Sequence, residues 1–77
     1  MSIKMYTWTY CSFCKRAKHL LEDLGLSYEE IPIDNDDQKK QELIAQTDHY
    51  TVPYVFIDGE FVGGYTELKQ KMDAETR

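Results

Sequence analysis

The hydrophobic periodicity of the chain changes from two to 3.6 and back again before residue 34, and that change restricts the fold more than any other feature. Ile3-Lys4-Met5-Tyr6-Thr7 alternates and is rich in strand formers. After Trp8 to Cys11 a helical pattern takes over, with Phe13, Ala17, Leu20, Leu21 and Leu24 on one face. Gly25 stands where a left-handed C-cap would stop that helix. Ser27–Ile33 then predicts a second strand, whose Pro32 suits a sheet edge better than its centre. Two strands joined through a helix run parallel, because the crossover returns the chain to the end of the sheet from which it set out.

The second half has a different grammar. Asp34-Asn35-Asp36-Asp37 supplies N-cap candidates and an acidic first turn for a helix reaching about Thr47, mostly solvent-facing, with Leu43 and Ile44 as its apolar contacts. Pro53–Ile57 and Glu60-Phe61-Val62 flank Asp58-Gly59, the dipeptide of a two-residue type I′ hairpin. Gly63-Gly64 breaks that pattern, and Thr66 is the expected cap of a last helix carrying Glu67, Leu68, Lys71 and Met72. The order βαβαββα predicts an α/β thioredoxin-type fold, a mixed four-stranded sheet flanked by helices. At 77 residues there is room for one core, so residues 1–77 are expected to form a single domain.

Nine basic against fourteen acidic side chains give a formal charge of −5, which argues against a nucleic-acid partner. No apolar run of about 18 residues exists to span a membrane. Met1-Ser2-Ile3-Lys4 enters the first strand without the apolar segment of a signal peptide. A cytoplasmic monomer is the expectation.

The only cysteines are Cys11 and Cys14, and a bridge between them closes too small a loop to constrain the unfolded chain much. In a reducing compartment such a pair is redox-active or metal-binding rather than structural. Cys11 falls at the start of the first helix, where unpaired N–H groups and the positive dipole end favour a thiolate, the attacking species in disulfide exchange. Cys14 lies one turn further in, less exposed and placed to resolve a mixed disulfide formed at Cys11. A structural zinc needs four ligands, and the other candidates, His19 and His49, are expected at the surface, so no metal is predicted. Lys15, Arg16 and Lys18 crowd the front of the same helix; either they form a solvated face or something anionic lies near. Tyr6 belongs to the core by its alternation, whereas Trp8, Tyr10 and Phe13 are open to either packing or a docking role.

With these elements in place, Thr51-Val52-Pro53 before the third strand and Gly63-Gly64 after the fourth make the chain resemble a glutaredoxin along nearly its whole length. The resemblance implies a glutathione-dependent thiol–disulfide oxidoreductase acting on glutathionylated proteins and protein disulfides, with Cys11 and Cys14 catalytic. Glutathione would be its co-substrate, and no cofactor would be bound. It further implies a cis Pro53 facing Cys11, backbone pairing of Val52 with the cysteinyl part of glutathione, and Thr51 and Phe13 beside the groove. Gly64, Tyr65 and Thr66 would receive the γ-glutamyl carboxylate at a helix start. Three positions depart from the family pattern: Ser12 replaces a common proline, Trp8 a lysine, and Thr66 an aspartate. Lys15 or Lys18 is the candidate replacement for the missing cation, and Glu67 for the missing carboxylate. The departures keep two alternatives open, a redoxin reduced by thioredoxin reductase and a carrier of an iron–sulfur cluster bridged by Cys11 and glutathione.

Overall fold

A computed structural model describes residues 2–75. Met1, Thr76 and Arg77, which the single-domain reading includes, lie outside the described residues. The elements are β1 (Ile3–Thr7), α1 (Ser12–Asp23), β2 (Glu29–Pro32), α2 (Asp37–Thr47), β3 (Tyr54–Ile57), β4 (Glu60–Gly63) and α3 (Tyr65–Glu75). The strands form one sheet in the order β2-β1-β3-β4. β1 runs parallel to β2, with Tyr6 opposite Ile31, and antiparallel to β3, with Met5 opposite Val55. β3 and β4 form the antiparallel hairpin around Asp58 (φ 53°) and Gly59 (φ 85°), the two positive φ values that a type I′ turn needs. This is the predicted mixed four-stranded arrangement, with Pro32 on an edge strand.

The pleat divides the core between the two faces of the sheet. Ile3 and Met5 of β1 pack with Val55 and Ile57 against Ala17 and Leu21 of α1 and Leu68 and Met72 of α3. Tyr6, Tyr54 and Phe56 join Ile33, Val52 and Leu43 of α2 in a second cluster that also takes in Cys14. Leu43 is the buried residue of α2, which is otherwise largely exposed, as its sequence predicts. No described helix is long and apolar enough to cross a membrane.

The structure corrects the sequence reading in several places. The buried stripe of α1 is Cys14, Ala17 and Leu21, at i, i+3 and i+7. Phe13 and Leu24, assigned to that face, are 52% and 38% exposed, because neither falls on the sheet-facing side of the turn. The second strand is shorter than Ser27–Ile33. Asp36 is the N-cap of α2, its side chain accepting from Lys39 N–H at 3.0 Å. Asp34 instead accepts from the N–H and hydroxyl of Thr9, at 2.7 and 2.9 Å, and so ties down the loop that leads into Cys11. Gly63 ends β4 rather than breaking it, and α3 begins at Tyr65. Thr66 is therefore inside the first turn and is not the cap. That function falls to Glu67, whose Oε1 accepts the Gly64 N–H at 3.1 Å, half of a capping box.

Candidate active site

Cys11 is the N-cap of α1, extended at φ −140° and ψ 112°, and its sulfur accepts the backbone N–H of Cys14 at 3.2 Å. Sulfur here takes the part that a serine or aspartate oxygen plays at ordinary helix starts, and it does so best as a thiolate, which is a better acceptor than a thiol. Cys11 is partly exposed, while Cys14 is fully buried. Burial, aided by its hydrogen bond to the Cys11 sulfur, pushes the Cys14 thiol up to about 12. The two sulfurs are thereby unequal. One is reachable from solvent at a helix start, and the other is held as a neutral thiol one turn behind it.

Across from the helix start, Cys11 Sγ lies 3.9 Å from the carbonyl oxygen of Val52, and the Val52–Pro53 peptide bond is cis. Val52 is also part of a shallow groove. Phe13, Thr51, Val52, Gly64, Tyr65 and Thr66 line it, so the structure brings together these residues singled out in the sequence, and the adjoining Pro53 is buried. Phe13 and Tyr65 approach one another across it, with ring centroids 6.3 Å apart.

Two further residues line the groove: His49, which the sequence places at the surface, and Glu67, which the sequence offers as the replacement carboxylate. His49 is half-buried, not a surface residue: its ring packs on Tyr54 and Phe61, and Nε2 lies 3.3 Å from Thr51 Oγ1. Its position two residues before Thr51-Val52-Pro53 is the one sequence hint of this. Glu67 lines the groove through the same side chain that caps Gly64, and its spacing of three from Gly64 is the capping-box signal that the sequence does carry.

The basic cluster separates into three environments. Lys15 is exposed, and the Arg16 guanidinium sits over the Phe13 ring at 5.3 Å. Lys18 is committed to Glu30 on β2 at 3.0 Å. The ammonium of Lys40, from α2, stands 4.6 Å above the Trp8 ring.

The glutaredoxin family model matches residues 3–62. The chain belongs to the glutaredoxin family. Glutaredoxin 3 of Escherichia coli strain K12 is 40% identical to it over 67 residues, covering 87% of this chain and 81% of the relative. The buckwheat glutaredoxin–glutathione complex superposes with a TM-score of 0.90 at 33% identity, over 95% of this chain and 69% of that one. Glutaredoxin 1 from Francisella tularensis, complexed with cacodylate, gives 0.82 at 33% identity, over 97% and 95%. As a glutaredoxin the chain has a thiol redox role, and Cys11 and Cys14 form its Cys-x-x-Cys pair. The family match ends one residue before Gly63-Gly64, so the reading of that end of this glutaredoxin's groove rests on its geometry.

Proposed function

We propose that this glutaredoxin reduces glutathione mixed disulfides and protein disulfides, with glutathione as electron donor. One arrangement carries the reading: an accessible sulfur at the N-cap of α1, facing the carbonyl of Val52 next to cis-Pro53, with Val52 itself lining a groove together with Thr51, Gly64, Tyr65 and Thr66. The Cys11 thiolate attacks a disulfide, one half leaves as a thiol, and the other half stays covalently joined to Cys11. If the retained half is glutathione, the Val52 backbone and the first turn of α3 hold it, the latter through N–H groups suited to a carboxylate. A second glutathione then restores the Cys11 thiol. When the retained half is a protein, Cys14 attacks instead and leaves a Cys11–Cys14 disulfide for glutathione to reduce. The buckwheat relative's complex with glutathione supports the choice of co-substrate.

The test is turnover of a glutathionylated peptide with glutathione, glutathione reductase and NADPH. Cys11→Ser is expected to lower it roughly a thousandfold, while Cys14→Ser keeps the glutathione-only route. Wild-type protein that is inactive there but is reduced by thioredoxin reductase would reject glutathione as donor.

A further inference from the structure

The proposed cycle leaves Cys14 with a difficulty. It must attack as a thiolate, yet it is fully buried, and in the reduced protein burial first, then the Cys11 sulfur, push its thiol up to about 12; burial stays when Cys11 is in a mixed disulfide. Two influences act the other way, a backbone hydrogen bond from Trp8 and the charge of Lys18. Lys18 is four residues beyond Cys14, one turn along the same side of α1. Its ammonium is not loose in solvent. Glu30 Oε2 on β2 holds it at 3.0 Å, and the same oxygen accepts the hydroxyl of Thr7 at 2.8 Å. Thr7 is itself 1% exposed and directly precedes Trp8. Burial works against the Glu30 charge, but the Thr7 hydroxyl and Lys18 more than offset it and keep the carboxyl below the ordinary carboxylate range. The Lys18 cation is thus fixed by a charged and hydrogen-bonded partner on the strand next to β1.

We propose that Lys18, clamped by Glu30, is the positioning residue that sets how readily Cys14 attacks a mixed disulfide at Cys11. The proposal rests on the resolving role given to Cys14 above. In the step, the Cys14 thiol and Cys11–S–S–R become the Cys11–Cys14 disulfide and R–SH. The bond from Cys11 to the R sulfur breaks, the Cys14 sulfur is oxidised, the R sulfur is reduced, and the proton lost by Cys14 ends on the departing thiolate. The ammonium steadies negative charge while it sits on Cys14. Of the residues clustered with Cys14, Cys11, Tyr6 and Tyr54 are titratable; α1 also carries the exposed Lys15 and Arg16, α2 brings Lys39 and Lys40 over the Tyr6 and Trp8 rings, β2 carries Glu30, and Asp34, beyond β2, is engaged by Thr9. Of these, Glu30 is the one whose charge works on Cys14 through Lys18.

The experiment reacts reduced protein with an aromatic disulfide whose released thiol is coloured. Attack by Cys11 frees one equivalent and attack by Cys14 frees the second, so the second phase reads the step directly. Its rate is followed from roughly pH 5 to 9. Lys18→Met is expected to slow the second phase about tenfold at neutral pH and move its profile to higher pH, and Lys18→Arg to restore it. Glu30→Gln removes the opposing charge while keeping an acceptor for Thr7, so it is expected to move the profile to lower pH. A merely structural cross-link would instead make Lys18→Met and Glu30→Gln act in the same direction. That result, or a second phase indifferent to Lys18, overturns the assignment and leaves the glutaredoxin function standing. Absence of any second phase in the wild type removes the resolving role of Cys14 and this proposal with it. Thermal melts check folding, and Lys18→Gln is read in the same way if Lys18→Met does not fold.

Discussion

Glu67 folds back over Gly63 so closely that a Cβ built on the glycine would stand 2.6 Å from Glu67 Oε1 and 2.7 Å from Glu67 Cβ. Gly63 also has a φ of 134°, a region that side-chain-bearing residues rarely enter. Gly63→Ala is therefore expected to cost about 2 kcal/mol, from backbone strain together with displacement of the Glu67 cap. Gly64 differs: an added Cβ there meets only ordinary contacts, at 3.5 Å from His49 Nε2 and 3.6 Å from the Pro53 carbonyl. Gly64→Ala should leave the melting temperature nearly unchanged, and chemical denaturation of the two variants side by side checks the contrast.

Tyr54 is fully buried, and its hydroxyl donates to the His49 carbonyl at 2.7 Å. Removing that hydroxyl leaves the carbonyl without this donor in the segment leading to Thr51. Tyr54→Phe is expected to lower stability by about 1–2 kcal/mol. It should also loosen the His49–Thr51 side of the groove, raising the KM for glutathione with kcat unchanged.

The Glu30 carboxyl titrates below the ordinary glutamate value of about 4.3, so the stability it lends is complete above that pH and is lost as the pH falls through its own lower value. Wild type should exceed Glu30→Gln by about 1 kcal/mol at neutral pH, discounted for the solvent that reaches the pair. The difference should close on acidification. Melting curves at neutral and strongly acidic pH decide this, and a gap that persisted in acid would contradict it.

Lys40 puts an ammonium 4.6 Å above the ring of Trp8, three residues before Cys11. Lys40→Met is expected to raise the KM for glutathione by about threefold, with a smaller effect at high salt. Steady-state kinetics at two ionic strengths check both parts.

Most of the fold is legible in the sequence because it rests on local signals. The strand-to-helix switch, Gly25, the acidic N-cap segment and Asp58-Gly59 each act within a few residues. The Cys-x-x-Cys pair is legible for the same reason, since a helix start and a spacing of three place both sulfurs. What escapes is set by contacts between distant elements. The burial of His49 depends on rings from β3 and β4. The destination of Lys18 depends on β2, and that of Lys40 on the loop before α1. Thr66 is a good capping residue in isolation, but Glu67 reaches back to Gly64 and α3 begins at Tyr65, ahead of Thr66.

Pro32 has a consequence on the far side of the sheet. The Ile33 N–H bonds inward to Thr7, so on β2 the alternate positions Glu30 and Pro32 direct their backbone nitrogens outward, and at Pro32 there is no hydrogen to offer. A second chain approaching this border meets a missing donor beside the charged Glu29 and Glu30 side chains, a combination that discourages strand-to-strand aggregation and so protects concentrated protein from templated fibre growth.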